Sequence, residues 1–445
     1  MHVDGGGIGG GGGIGGNFQN AGVIVDAQGV LRVNRVMDQG GRMIAQRVQA
    51  ALATMDPKLA AQSDSRKISL NRLEKAMAEK LAQGEPLTDE MKFLAGLWRV
   101  QHVFFYPESG DIVLAGPAEG FVEDLVGRVR GVHTGRPVLE LQDLAVALRA
   151  FPPQGNKQTV IGVSIDPTQE GLDRMRQFHQ AISGNVSPAD APRIALGMRQ
   201  NLGMQTVRID GVSPRTHFAQ VLVEADYRMK LIGIELEQPP VKIQSFVARA
   251  NPSGVARNAL QRWYFTPDYK CLRVAEDGMA LEMVGQGVRL ISEAELVAEG
   301  GIRVQGATVS KASSAFCRQF TEMYPKLADA EPVYAQLRNL IDLSVAAAFI
   351  QDADFYSQAN WSLGVLGDEQ KYPVETYETP TQVESAVNVV WKGNVLMTPI
   401  GGGVHLEPLK SLDESNKLAD EDGKVAAARA QTSLNNLPEG QWWWD

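Results

Sequence analysis

The chain has 445 residues, with 43 basic and 52 acidic side chains, a net charge of −9 and 44% hydrophobic residues. This balance lacks the basic stripe of a dedicated nucleic-acid binder, the two cysteines (Cys271 and Cys317) are too few for a disulfide scaffold, and no run of about 18 apolar residues predicts a membrane span. The length suits two or three domains of ~150 residues, and neither a reaction nor a substrate is written in these counts.

Residues 1–16 contain ten of the 45 glycines. So much backbone entropy, set against two isoleucines, predicts a flexible arm. The G-x-G-x-x-G matches inside it are trivial, because no strand precedes them. A basic n-region and an apolar h-region are both missing, so the expected compartment is the cytoplasm, unless the chain is the mature part of a longer precursor. In the latter case it is extracytoplasmic: periplasmic, cell-envelope or secreted.

Residues 22–34 predict a hairpin around Ala27-Gln28-Gly29, and 40–54 an amphipathic helix. Ile68-Ser69-Leu70 leads into a helix with Leu73, Met77 and Leu81 on one face. Thr88 is the expected N-cap of a short helix through Met91, Leu94 and Leu97. Val103–Tyr106 and Ile112–Ala115 form a hairpin. Val138–Leu141 before Leu144 and Leu148, and Val288–Ile291 before Leu296, repeat a strand feeding a helix, as in layered α/β or α+β folds.

The middle of the chain reads strand, helix, helix, strand, long helix over 158–236. Asp166-Pro167-Thr168-Gln169 predicts a helix start with Asp166 as N-cap; Ser187-Pro188 and Ser213-Pro214 repeat the device. The long helix, about Pro214 to Ile234, has an apolar face of Phe218, Val221, Leu222, Ala225, Met229 and Ile232. Trp263–Phe265, Cys271–Val274, Ala280–Val284 and Val288–Ile291 predict a meander. Helices follow over about 311–327 and from Pro332, the second apolar all round at Val345–Ile350 and too short to span a bilayer. Ala386–Trp391 and Val395–Thr398 form a hairpin that Val404-His405-Leu406 continues. The polar stretch from Leu412 ends in Trp442-Trp443-Trp444-Asp445, interface-type residues expected either to fold back on their own domain or to dock into a neighbour.

Chemistry is sparse. No two of the six histidines have ligand spacing, and neither H-E-x-x-H nor Cys-x-x-Cys occurs, so neither a metal site nor a cofactor is expected. His217 shares a polar stripe with Gln220, Glu224 and Arg228. A histidine near a carboxylate suits acid–base work, while the plainer reading is a solvated face with a Glu224–Arg228 pair at i,i+4. Asp166 and Glu170 invite a paired-carboxylate reading, against which capping and the helix dipole account for both. Cys271 and Cys317 read as core. In the loop His133-Thr134-Gly135-Arg136-Pro137, Arg136 is a weak candidate for holding an anion or ligand.

Arg66-Lys67-Ile68-Ser69-Leu70, Tyr106-Pro107-Glu108-Ser109-Gly110-Asp111, Ala115-Gly116-Pro117-Ala118-Glu119-Gly120, Thr134-Gly135-Arg136-Pro137, Asp166–Leu172 and Ala225–Lys230 together resemble a family of uncharacterised proteins from planctomycete bacteria. The resemblance runs over roughly residues 20–355. It supplies no activity; it implies a bacterial origin and export with low-complexity arms.

The resulting expectation is an α+β protein divided into a Gly-rich arm (1–20), an N-terminal domain (21–155), a central domain (156–355), a hairpin segment (356–411) and a disordered polar tail (412–445). The leading functional reading is a non-enzymatic, extracytoplasmic or cell-envelope protein acting by protein–protein contact or self-association, with Trp442, Trp443 and Trp444 as interaction residues. No nucleic acid and no membrane span is expected. The alternative is a hydrolase or small-molecule-binding enzyme with a cleft near Asp166, His217 and Glu224.

Overall fold

The computed structural model describes residues 23–445 apart from 27, 34, 35, 37, 156, 157, 159, 183–186, 252–258, 269, 298–302, 306–309, 389, 393, 394, 398–402, 432, 433, 435 and 436. The glycine arm expected over 1–20 therefore lies outside the described residues. The fold is α+β: two seven-stranded mixed sheets with helices packed on them.

Most local signals act where the sequence puts them. Val23–Val25 pairs with Leu31–Val33, and the Asp26 carboxylate accepts from the amides of Gln28 and Val30 to close the turn. Strand Ser63–Ser69 runs straight into helix Leu70–Ala82, with Ser69 as the N-cap. Thr88 caps Asp89–Lys92, but that helix stops before Leu94. Helix Gln169–Ile182 follows strand Ile161–Pro167 with Thr168, not Asp166, as its cap: the Thr168 hydroxyl accepts from the Gly171 amide at 3.0 Å. Pro167 still belongs to the strand, which places Asp166 two residues too early to cap.

The sheets are assembled from distant stretches. One runs in the order Arg303–Gln305, Val288–Val297, Ala259–Pro267, Gly403–Leu406, Ile161–Pro167, Gln205–Asp210, Gln382–Val383. The other runs Lys417–Ala419, Leu272–Val274, Ala280–Met283, His102–Tyr106, Asp111–Ala118, Ser63–Ser69, Trp443–Trp444. The expected meander is thus divided. Ala259–Pro267 pairs directly with Val288–Val297, while the hairpin between them pairs with His102–Tyr106 in the other sheet. Leu296 lies in a strand rather than a helix. Gly403–Leu406 does not continue the preceding hairpin; it inserts between Ala259–Pro267 and Ile161–Pro167. Strand pairing across residues 155/156 and 355/356 shows that the expected domain boundaries do not separate the sheets.

The polar tail is folded. Strand Lys417–Ala419 and helix Lys424–Gln431 belong to the second sheet and its cover. Trp443 and Trp444 pair with Ile68 and Lys67 at the sheet edge, and the Ser69 amide donates to the Trp442 carbonyl at 2.9 Å. Fully buried Arg66 donates to both Asp445 carboxylate oxygens, at 2.8 and 3.2 Å. Its two terminal nitrogens also reach the carbonyls of Lys58, Leu59, Ala61 and Ala95. Hydrogen bonds to a charged group contribute about 1.5–3 kcal/mol each, so the tryptophan tail is anchored within its own chain.

Three helices form the centre: Leu141–Ala150, His217–Gly233 and Pro332–Asp352, packed on one another. Pro332–Asp352 has 21 residues, long and apolar enough by composition to cross a membrane, but it is buried inside the protein. It is a core helix, each fully buried Leu, Ile, Val or Phe contributing about 1.5–3 kcal/mol. At the other extreme, helix Arg42–Thr54 buries no residue.

Candidate functional site

Helix His217–Gly233 begins one residue after Thr216, whose hydroxyl accepts from the Ala219 amide at 3.2 Å and donates to the Ser213 carbonyl at 2.8 Å. The chain therefore turns between Ser213 and Thr216 before the helix starts. Its apolar face packs as the spacing predicts. The polar stripe, however, is not solvated: His217, Gln220, Glu224 and Arg228 are all buried, and only Tyr227 and Leu231 of the helix are partly exposed. The stripe faces helices Leu141–Ala150 and Pro332–Asp352, which bring polar residues of their own.

At the N-terminal end, His217 Nδ1 lies 2.8 Å from Asp143 Oδ2, and Nε2 lies 3.7 Å from Glu140 Oε1. Glu140 precedes helix Leu141–Ala150 and Asp143 sits in its first turn, so one helix start delivers two carboxylates to a single imidazole. Gln142 donates to Glu140 Oε2 at 2.7 Å and to the Tyr377 hydroxyl at 3.1 Å. The Gln336 amide is 3.3 Å from His217 Nε2, and the Tyr377 ring lies 5.9 Å from the imidazole. Burial disfavours the imidazolium, but Asp143 and Glu140 more than offset it and push His217 up to about 9. Burial raises Glu140, against the pull of His217. Burial likewise raises the Tyr377 phenol.

Two turns further along, Glu224 accepts from Arg128 at 2.6 Å and pairs with Arg228 at 3.5 Å. Arg228 continues to Glu237 at 2.6 Å and Glu331 at 2.9 Å. The two groups are joined, because Arg128 also donates to Gln336 Oε1. His217 and Glu224 thus meet through Gln336 and Arg128, not directly. The Glu224–Arg228 pair of the plainer reading exists, but in the core.

The other expected residues lie elsewhere. Asp166 pairs with Arg262 at 3.4 Å and is not among the three clustered donors. Arg136 holds Asp329 at 2.8 Å and stacks over Trp98 at 4.4 Å, so its anion comes from the same chain. Its loop is organised by buried Glu119, which accepts from the amides of His133 and Thr134. Burial pushes the Cys271 and Cys317 thiols up to about 12, as suits core residues.

A cleft of about 450 Å³ runs beside the His217 cluster. Val146, Arg149, Gly211, Arg215, Thr216 and Thr376 are among its walls. Thr216 precedes His217, Thr376 precedes Tyr377, and Val146 is one helical turn beyond Asp143, so the cluster stands directly behind this wall.

Sequence reasoning found His217 but missed its partners. One signal was present: Glu140 and Asp143 at i,i+3 across a helix start. Gln336 and Tyr377, from far along the chain, gave none. The expectation of no metal site rested on spacing along the chain; in space, one donor atom each from Glu140, Asp143 and His217 lies within 4.8 Å of the others.

Residues 163–246 match a family described as a protein of unknown function (DUF1598). The chain thus carries a DUF1598 domain, spanning strand Ile161–Pro167 from Val163 through helix His217–Gly233 to Phe246. His217, Glu224 and Arg228 lie inside it; Glu140, Asp143 and Gln336 lie outside. No curated protein and no solved structure matches the chain.

Proposed function

We propose that this chain, with its DUF1598 domain supplying His217, is a small-molecule-binding protein of enzyme type whose site is the cleft beside the Glu140–Asp143–His217 centre. The observation that carries the reading is the convergence of three buried, chemically active side chains from two helix starts, next to residues that line that cleft. Concave sites with a few convergent polar groups are the usual form of ligand sites. The ligand is small and polar. It carries an anionic group for the exposed Arg215 and hydroxyls for Ser213 and Thr376.

The reading by protein–protein contact drew on Trp442–Trp444, and those residues are used within the chain. It loses that support, while the cleft gains support from the burial of His217.

The test is a thermal-shift and calorimetric screen of the full chain against small carboxylates, phosphate esters and sugar acids. A binder is expected whose affinity falls about tenfold or more, some 1.4 kcal/mol, in Arg215→Ala, and which is excluded by Ser213→Trp at the exposed wall. A screen without any binder, or a binder indifferent to both variants, overturns the reading.

A further inference from the structure

We infer that Glu140 Oε1 and His217 Nε2, with Asp143 holding the imidazole from its other side, form a binding site for one divalent transition-metal ion of the zinc class. The inference concerns the same centre as the cleft reading and deepens it, but the two are read out by separate measurements.

Four observations carry it. First, the donor types are right: an imidazole nitrogen with a carboxylate suits zinc and its neighbours, and one donor atom each of His217, Glu140 and the supporting Asp143 lies within 4.8 Å of the others. Second, the spacing is right. His217 Nε2 and Glu140 Oε1 are 3.7 Å apart, close to the roughly 3.4 Å that separates two ligands each ~2.1 Å from a tetrahedral ion. Third, the supporting contacts are those a metal-binding histidine uses. Asp143 Oδ2 receives Nδ1–H at 2.8 Å, which fixes the tautomer and directs Nε2 toward Glu140. Gln142 holds Glu140 Oε2 at 2.7 Å, which leaves Oε1 for the ion. Fourth, the residues present leave need unmet. Asp143 is 4% exposed, and its Oδ1 has no hydrogen-bond partner among the described residues. Two carboxylates face one imidazole, and the Arg128 guanidinium, the arginine that acts on His217, is committed to Glu224 and Gln336.

A bound ion takes the place of the Gln336 amide at His217 Nε2, so Gln336 swings aside or ligates through a bridging water. A cation here takes over from the imidazolium proton as the positive charge that faces the two buried carboxylates.

The experiment uses the full chain, stripped with chelator and titrated with Zn²⁺ and then with Mn²⁺ by calorimetry, with metal content by mass spectrometry. One equivalent is expected. Glu140→Gln and Asp143→Asn each weaken binding about 10- to 100-fold, with the far-ultraviolet circular dichroism of both variants unchanged. Binding well below one equivalent, or one equivalent with the same affinity in both variants, overturns the inference. His217→Gln is the third variant, and because it is the most apt to misfold, the conclusion rests on the two carboxylate variants. Zinc binding lost with the Arg215-dependent ligand retained sinks the metal and spares the cleft; the reverse pattern does the opposite.

Discussion

The start and the middle of helix His217–Gly233 both carry ionisable side chains into the core, and each group has one carboxylate more than it has cations, but the cations differ. Around Glu224 and Arg228, each of the three carboxylates has a guanidinium within 3.5 Å: Glu224 has Arg128 and Arg228, and Glu237 and Glu331 have Arg228. Around His217, two carboxylates share one imidazole. A buried charge without a partner is costly, so carboxylates held by permanently charged guanidiniums serve as framework. Carboxylates gathered on a titratable imidazole are the arrangement met at functional sites. The Arg128–Gln336 link couples the two, so the framework fixes the geometry of the site.

Breaking the guanidinium cluster should have the largest effect. Arg228→Met leaves Glu237 without its guanidinium and Glu224 with only Arg128. Removing one member of a buried pair costs about 3–5 kcal/mol, and urea unfolding at pH 7 should show a loss of that size. A loss below ~1 kcal/mol means that the network is not framework and removes the contrast with His217.

A one-to-one guanidinium–carboxylate pair tests the same logic through pH. The Asp111 carboxylate accepts from Arg72 at 2.9 and 3.2 Å and from Ser69. Burial opposes ionisation, but the Arg72, Ser69 and Ser109 hydrogen bonds outweigh it and hold Asp111 below its ordinary value of 3.8. The sign follows: its folded value lies below its unfolded one, so its stabilisation is complete above that range and disappears as pH falls through the folded value. The stability gap between the native chain and Asp111→Asn should therefore be widest near neutral pH and close below pH 3.8. A gap constant from pH 7 down to pH 3, measured by urea titration, contradicts the assignment of the Arg72–Asp111 pair.

The smallest effect is expected at the imidazole centre. Glu140→Gln keeps the side-chain shape, relieves the repulsion with Asp143 and leaves His217 its 2.8 Å contact to Asp143, so the metal-free chain should change by roughly 1 kcal/mol or less. Thermal unfolding of the chelated protein reads this directly. A loss as large as that of Arg228→Met would make the two ends of the helix alike and return His217 to the framework.

Much of this protein is legible in its sequence. Thr88 and Ser69 act as caps, the Val103–Ala115 hairpin forms, and Phe218 to Ile232 define the buried apolar face of the central helix. These signals work because a cap or a period needs only neighbours within one or two turns. The helix start after Asp166 was misread by two residues, because Thr168 competes for the same role and only the strand's extent decides between them. The site was half legible: the stripe of His217, Gln220, Glu224 and Arg228 was visible, but its depth was not. Polar residues at helical spacing look the same whether water or another helix faces them.

By itself, then, the sequence determined the elements, the apolar faces and an α+β composition, all set by local propensity and periodicity. Tertiary structure alone decided that Trp443 pairs with Ile68, that one hairpin leaves the meander to join the other sheet, and that Asp143 meets His217. These contacts join residues 74 to 375 positions apart. Their energy comes from burial and register once the chain has closed on itself, and no local pattern records it.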